Sequence, residues 1–266
     1  MINADVNSSE EIALKGVSFA YNAHPVLQDV SFAAKRGEFL VIIGPNGCGK
    51  STALRLLSGL LSPKTGQVVL EGVTVAKMGR RALARRLALL AQSNSVPEGM
   101  TVEDLVGMGR YAHETWLRRK TPKDREKIAS AMELMEITEL SARRLGELSG
   151  GQLQRVRMAM TLAQDTPFIL LDEPTNHLDP RHQHDLLHLA RRAATENKSV
   201  IAVLHDLTQA SLYADRIVMM SDGHIIADGP PQNVMTPELI KQVYGLRTVA
   251  VPIGRTVIHL PESAVS

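Results

Sequence analysis

The sequence predicts an α/β fold with a mainly parallel sheet flanked by helices, and three observations carry that expectation. Short apolar runs alternate with longer amphipathic stretches, the pattern of strands and helices taken in turn. One apolar run opens directly into a glycine-rich segment that leads into a helical pattern. From about residue 97 to residue 163 the strand signal vanishes while helical periodicity persists, which marks a helical insertion in the α/β core.

In chain order, residues 12–19 and 26–32 read as strands around a turn at residues 22–25, and residues 66–70 as a third strand. Together they form an antiparallel β group near the N-terminus. Residues 39–43, 87–91, 168–171 and 200–204 are apolar throughout, and 216–220 is apolar after Arg216, the pattern of strands buried on both faces. Helical patterns cover residues 50–58, 80–86, 179–196 and 207–214, and inside the insertion residues 101–109, 123–135 and 151–163. The boundaries expected are a single domain over residues 1–266, with a nucleotide-binding core at 12–94 and 164–245. The helical subdomain takes 95–163, and a short tail 246–266.

Composition narrows the function. With 266 residues, 44% hydrophobic and 22% charged, the chain can bury a real core and is neither disordered nor fibrous. No apolar run approaches the ~20 residues needed to cross a bilayer. The N-terminal stretch carries Asp5, Glu10 and Glu11 and lacks a basic start and an apolar run, so a cytoplasmic location is expected. Cys48 is the lone cysteine, which excludes an intrachain disulfide and a multi-cysteine zinc site. Thirty basic side chains against 28 acidic ones leave a net charge of +2, and aromatics make up 3%. There is no overall polyanion bias and there are few base-stacking platforms, so no direct nucleic-acid partner is expected. Two basic clusters, Arg80/Arg81/Arg85/Arg86 and Arg118/Arg119/Lys120, read as solvated helix faces and loop tips.

The strongest local signal is Gly44-Pro45-Asn46-Gly47-Cys48-Gly49-Lys50-Ser51-Thr52, a phosphate-binding loop set between a strand and a helix. Its glycines let backbone N–H groups face phosphates at a helix N-terminus, where the helix dipole also favours negative charge. Lys50 is expected to reach the β- and γ-phosphates and Ser51 to ligate Mg²⁺. Cys48, beside Lys50 and a helix N-terminus, is expected to be a reactive thiolate.

A second element, Phe168-Ile169-Leu170-Leu171-Asp172-Glu173, places two carboxylates at the end of a buried strand, where doubly wound sheets bind ligands. Asp172 is the natural metal partner and Glu173 the natural base or water-orienting group for attack on a γ-phosphate. The segment Leu148-Ser149-Gly150-Gly151-Gln152 precedes a helix with no strand before it. It offers a hydroxyl and N–H groups to an anion. Two half-sites on one chain imply two chains that complete each other's sites.

Taken together these residues resemble the ATP-binding-cassette ATPases, over nearly the whole chain from about residue 12 to residue 245. The phosphate loop, Gln92, the signature from Leu148 to Gln152, Asp172-Glu173, Asp179 and His205 stand in that family's order and approximate spacing. The resemblance implies a P-loop NTPase core with an N-terminal antiparallel β subdomain and an inserted helical subdomain. It also implies a nucleotide-sandwich homodimer in which Ser149 and Gly151 of one subunit meet the γ-phosphate held by the other. His205 is similar to the switch histidine at the γ-phosphate. Gln92 is similar to the lid-loop glutamine that senses Mg²⁺ and the transmembrane partner. Asp179 looks like the aspartate linking the two sites, a role compatible with capping a helix. Tyr21 matches the aromatic that stacks on adenine, with core packing as its other reading.

Within the family the chain looks most like importer ATPases for ferric siderophores, with haem and cobalamin importers as close cousins. The carriers are Glu98 to Val102, Gly109-Arg110-Tyr111, Leu204 to Leu207, and Met235 to Gly245. Leu153 departs from the polar or basic residue expected after the signature. The expected protein is an ATPase on the cytoplasmic side of the inner membrane, held there by transmembrane permease subunits and served indirectly by a substrate-binding protein. A nucleotide-gated clamp without a transport role is the alternative from another class.

Overall fold

The structure, a computed structural model, describes residues 10–91, 99–114, 120–253 and 256–264. Two compact units divide the chain, Met1–Met78 with Leu187–Ser266 and Gly79–Leu186.

The first unit opens with β1 (Glu11–Tyr21) and β2 (His24–Lys35), antiparallel from the pair Tyr21 and His24 to the pair Glu11 and Lys35. Asn22 in the turn between them has φ 52°, a left-handed conformation that Asn tolerates better than most residues. Then come β3 (Phe39–Ile43), α1 (Lys50–Leu57), β4 (Thr65–Leu70) and β5 (Val73–Thr74). Strands β2, β1, β4 and β5 form one antiparallel sheet in that order, the N-terminal group expected from sequence. Every residue of β3 is buried, as its unbroken apolar text requires.

In the second unit, α2 (Arg80–Ala84) leads into β6 (Leu87–Leu90), followed by α3 (Val102–Met108), α4 (Pro122–Leu134), α5 (Gly150–Ala163) and β7 (Phe168–Asp172). β6 and β7 run parallel from the pair Leu87 and Phe168 to the pair Leu90 and Leu171. Between these strands the described residues form no strand beyond an isolated bridge of Thr101 with Arg144. All three long-insertion helices start the same way. Thr101 with Asp104, Thr121 with Asp124 and Ser149 with Gln152 each make a capping box, in which two otherwise unpaired N–H groups at the helix start are satisfied reciprocally. α3, α4 and α5 pack on one another through buried Val102, Val106, Ile128, Met132 and Val156. The basic cluster on α2 has a structural task here. Arg81 and Arg85 donate from Nε to the Ala112 carbonyl at 3.0 and 2.8 Å. Arg118 and Arg119 lie outside the described residues.

The helix α6 (Pro180–Thr195) begins in the second unit and ends in the first. There follow β8 (Ser199–Val203), α7 (Leu207–Tyr213), β9 (Arg216–Ser221), β10 (His224–Gly229), α8 (Pro231–Val234), α9 (Pro237–Tyr244), β11 (Thr248–Ile253) and β12 (Thr256–Pro261). Within this unit the order is β10, β9, β3, β8. β3 is parallel to both neighbours, whereas β10 returns antiparallel on β9. Arg216 of β9 clamps that edge, with two 2.6 Å bonds to the Asp228 carboxylate of β10 and one of 2.9 Å to the Ala33 carbonyl of β2.

Candidate functional site

Two adjacent parallel strands of the first unit deliver its candidate residues to one edge. β3 and β8 are in register to the pair Ile42 and Val203. The phosphate loop therefore follows β3 at the same end at which His205 follows β8, the C-terminal edge where α/β sheets bind ligands. His205 is exposed. The next residue, Asp206, caps α7 by accepting from the Thr208 and Gln209 N–H groups at 2.7 and 3.0 Å, which fixes the backbone that carries the histidine.

In the loop itself, Gly49 has φ 105°, and a Cβ built there would stand 2.5 Å from Leu27 Cδ2 and 3.0 Å from the Val26 carbonyl. Only glycine fits both the backbone conformation and the space. Lys50 opens α1 and is 5% exposed. Its ammonium donates to the carbonyls of Gly44 and Pro45 at 2.8 and 2.9 Å. A lysine ammonium has three donors, so the loop turns its own carbonyls onto the cation that is expected to meet phosphate. Asn46 and Gly47 at the tip are exposed, Pro45 and Ser51 are half-buried, and Thr52 is buried.

Cys48 corrects an expectation. The thiol is buried, at 5% exposure, and desolvation pushes its pKa up against the lowering influence of Lys50. Being inside the loop wall outweighs being beside a cation, so the residue is a packed thiol and not a reactive thiolate.

Tyr21 ends β1 at 41% exposure, its ring edge-on to Phe19 with centroids 4.9 Å apart. A half-open ring braced by a second aromatic leaves a face for a planar base to stack on.

The second unit groups the carboxylates with the signature. Asp172, the last residue of β7, is 3% exposed, while Glu173 follows at φ 52°. Such a backbone is uncommon for a non-glycine residue and marks a sharp departure from the strand. Asn176 Nδ2 donates to Glu173 Oε2 at 2.6 Å, orienting the carboxylate. The loop is braced from both sides. Gln154 of α5 donates to the Pro174 carbonyl at 3.1 Å, and Gln183 of α6 to the carbonyls of Thr175 and Leu178 at 3.2 and 3.1 Å.

Sequence reading missed these three amides. Asn176 stands three residues after Glu173, a spacing that signals a side chain folding back, but the two glutamines carry no local signal. Ser149 accepts from the Gln152 N–H at 3.2 Å, and a Cβ on Gly151 would lie 3.2 Å from the His177 carbonyl. The signature start thus packs against the loop that leaves the carboxylates. Leu148 is half-buried and Gly150 exposed. Asp179 accepts from the His182 N–H at 3.0 Å and pairs with its Nδ1 at 2.7 Å. Those bonds hold its carboxyl below the ordinary range. Gln92 lies outside the described residues.

No three histidine, cysteine or acidic side chains cluster as metal ligands among the described residues. Mg²⁺ takes one or two protein oxygens and completes its shell from phosphates and water. Ser51 and Asp172 supply hard oxygens of that kind.

Residues 27–176 match the family model described as ABC transporter. The chain is 42% identical over 248 residues to the ferric enterobactin transport ATP-binding protein FepC of Escherichia coli (strain K12), covering 92% of each chain. It is 44% identical over 225 residues to the hemin import ATP-binding protein HmuV of Nocardia farcinica (strain IFM 10152), covering 84% of this chain and 76% of that one. The dimeric structure of MJ0796, a bacterial ABC transporter cassette, superposes with a TM-score of 0.74 at 26% identity, over 83% of this chain and 98% of that one. The family model covers more than half of the chain and the relatives most of it: the protein belongs to the ABC transporter family, as one of its ATP-binding, ATP-hydrolysing subunits.

Proposed function

We propose that the protein is the energy-coupling ATPase of an importer for ferric siderophores, acting as a nucleotide-sandwich homodimer on transmembrane permease subunits at the inner face of the cell membrane. The observation that carries the cargo is the likeness over 92% of the chain to a ferric enterobactin transport ATP-binding protein. The likeness to a hemin import ATP-binding protein supports haem as the second reading. A substrate-binding protein would act upstream of the permease.

In this reading Tyr21 stacks on adenine, and the backbone from Gly44 to Thr52 cradles the phosphates. Lys50 then exchanges a loop carbonyl for a phosphate oxygen, a charge-assisted bond stronger than the neutral one it replaces. Ser51, Asp172 and Gln92 would hold Mg²⁺, which would neutralise charge on the phosphates. Glu173, oriented by Asn176, takes the proton of the attacking water. His205 and the partner's signature, Leu148 to Gln152, contact the γ-phosphate, and Asp179 links the two sites of the dimer. The domain reading goes with it, a core at residues 12–94 and 164–245 and a helical subdomain at 95–163.

The test is reconstitution of the ATPase with its co-purifying permease and binding protein in vesicles, with ferric siderophore, haem and cobalamin offered in turn. Stimulation of ATP hydrolysis by ferric siderophore is the expected result. Stimulation by haem or cobalamin alone would reassign the cargo, and stimulation by none, with stable binding to ribosomes or DNA, would overturn the transport reading.

A further inference from the structure

The first turns of α5 touch the loop that carries Glu173 at two places. Gln154 Nε2 donates to the Pro174 carbonyl at 3.1 Å, from a residue 9% exposed. Three residues earlier on the helix, a Cβ on Gly151 would stand 3.2 Å from the His177 carbonyl. With glycine there, helix and loop backbones lie against each other.

That loop is strained. Glu173 and His177 take φ of 52° and 64°, left-handed backbones that persist in non-glycine residues where the surroundings over-determine them. Pro174, which follows the first of them, has no N–H to give. Its carbonyl is the single backbone group by which residue 174 can be held through a hydrogen bond, and Gln154 holds it. The other glutamine on this loop acts further along. Gln183 donates to the carbonyls of Thr175 and Leu178, whereas Gln154 grips the residue directly after Glu173.

Asn176 plays a different part. Its side chain bonds the Glu173 carboxylate and its N–H returns to the Glu173 carbonyl at 3.3 Å, so carboxylate, Pro174 and Asn176 form one piece. Those bonds orient the carboxylate within the piece. Where the piece itself stands depends on what grips it from outside: β7 before it, Gln183 after it, and Gln154 from α5.

We infer that Gln154 is a positioning residue for ATP hydrolysis, its amide clamping the Pro174 carbonyl and so holding the Glu173 carboxylate where it takes the proton of the attacking water. This rests on the reading of Glu173 as the base. The helix that presents Ser149 and Gly151 then also steadies the base of its own chain, and turnover depends on a side chain that does not touch the nucleotide.

The experiment is a double-mutant cycle on the ATPase reconstituted with its permease. Gln154→Met keeps the length and bulk and removes the donor. It is measured alone and combined with Glu173→Gln, for kcat, KM for ATP and melting temperature. Alone, it should lower kcat roughly ten- to a hundredfold, the effect of a reacting group displaced from outside the site, and leave KM within about twofold of wild type. In the Glu173→Gln protein, where no base remains to displace, the same substitution should change the residual turnover by less than about twofold. A role in stability alone predicts the same fold-loss in both backgrounds. That result would overturn the inference, as would a kcat near wild type in Gln154→Met. Should Gln154→Met not fold, Gln154→Glu, which stays polar and replaces the donor with an oxygen, carries the same cycle under the same criteria. Wild-type turnover in Glu173→Gln by itself would instead remove the base, and the inference would fall with the reading it rests on.

Discussion

Arg110 Nε donates to Asp124 Oδ1 at 2.8 Å, and both side chains are only 5% exposed. The same guanidinium reaches the carbonyls of Ala163 and Gln164 at 2.9 and 3.2 Å, so one residue ties the start of α4 to the end of α5. Deleting one partner of a buried ion pair leaves the other charge uncompensated. Arg110→Met should therefore destabilise the protein by about 3–5 kcal/mol, read as a lower urea midpoint. A change below about 1 kcal/mol, the range of exposed pairs, would show that the pair is solvated.

The same pair predicts a pH dependence. Burial alone would push the Asp124 carboxyl up, but hydrogen bonds from Thr121 and from Arg110 outweigh it and hold the pKa at about 2, against 3.8 for an ordinary aspartate. A depressed carboxylate contributes stability that is present above the unfolded value and lost as pH falls through the folded one. The contribution, about 2 kcal/mol, should be intact at pH 5 and disappear between about pH 4 and pH 2. Asp124→Asn should lower stability at neutral pH and flatten that part of the acid limb. Parallel acid limbs in the two proteins would argue against it.

Glu173 is aimed by Asn176 at 2.6 Å. Glu173→Gln keeps the shape and removes the base, so ATP binding should persist while turnover falls by ~10²–10⁴. Lys50→Ala should act on the other quantity and weaken nucleotide binding itself. Asn176→Ala, which frees the carboxylate to rotate, should give a smaller loss of turnover than Glu173→Gln. Turnover near wild type in Glu173→Gln would remove this residue from the chemistry.

What was legible in the text was what periodicity and backbone chemistry write locally. The continuous apolar run Phe39–Ile43 became a wholly buried strand, and Lys50–Leu57 and Pro180–Thr195 fell within two residues of the expected helices. Strand β10 was missed because its residues are mostly half-exposed and give no clean alternation. The Asp222-Gly223 turn before it, with φ of 47° and 78°, was the available signal for a hairpin. The β11–β12 hairpin, in the stretch expected as a short tail, likewise lacks an apolar run long enough to read. At the site, the loop and carboxylates were visible because they are contiguous. Gln154 lies 20 residues from the Pro174 carbonyl it braces, and no pattern in one sequence connects the two. Cys48 failed for a related reason, since the sequence shows Lys50 two residues on while the burial of the thiol in the folded loop is written in no local pattern.

That burial makes a prediction of its own. With burial raising its pKa, Cys48 should react with a small aromatic disulfide reagent at neutral pH far more slowly than a free thiol, and labelling should accelerate through the urea unfolding transition. Thiolate character and access jointly set the rate, and both are denied in the folded loop. Fast labelling of the folded protein, suppressed by ATP, would restore the reactive thiolate that the sequence alone led one to expect.

Two glycines of the same loop separate steric space from backbone strain. Gly47 has φ 81° and a Cβ there would meet nothing within 4 Å, whereas at Gly49 the φ of 105° is combined with contacts of 2.5 Å to Leu27 Cδ2 and 3.0 Å to the Val26 carbonyl. Gly47→Ala therefore bears only the cost of a left-handed alanine, about 1–2 kcal/mol. Gly49→Ala adds overpacking against β2, typically a further 1–3 kcal/mol, and displaces the N–H groups at the start of α1 that would face phosphate. The expected order is a modest loss of stability and ATP affinity for Gly47→Ala, and a larger loss of both, with affinity down more than tenfold, for Gly49→Ala. Melting temperature and calorimetric ATP titration of the two variants decide it, and equal effects would mean that Leu27 yields easily and that backbone conformation alone governs the loop.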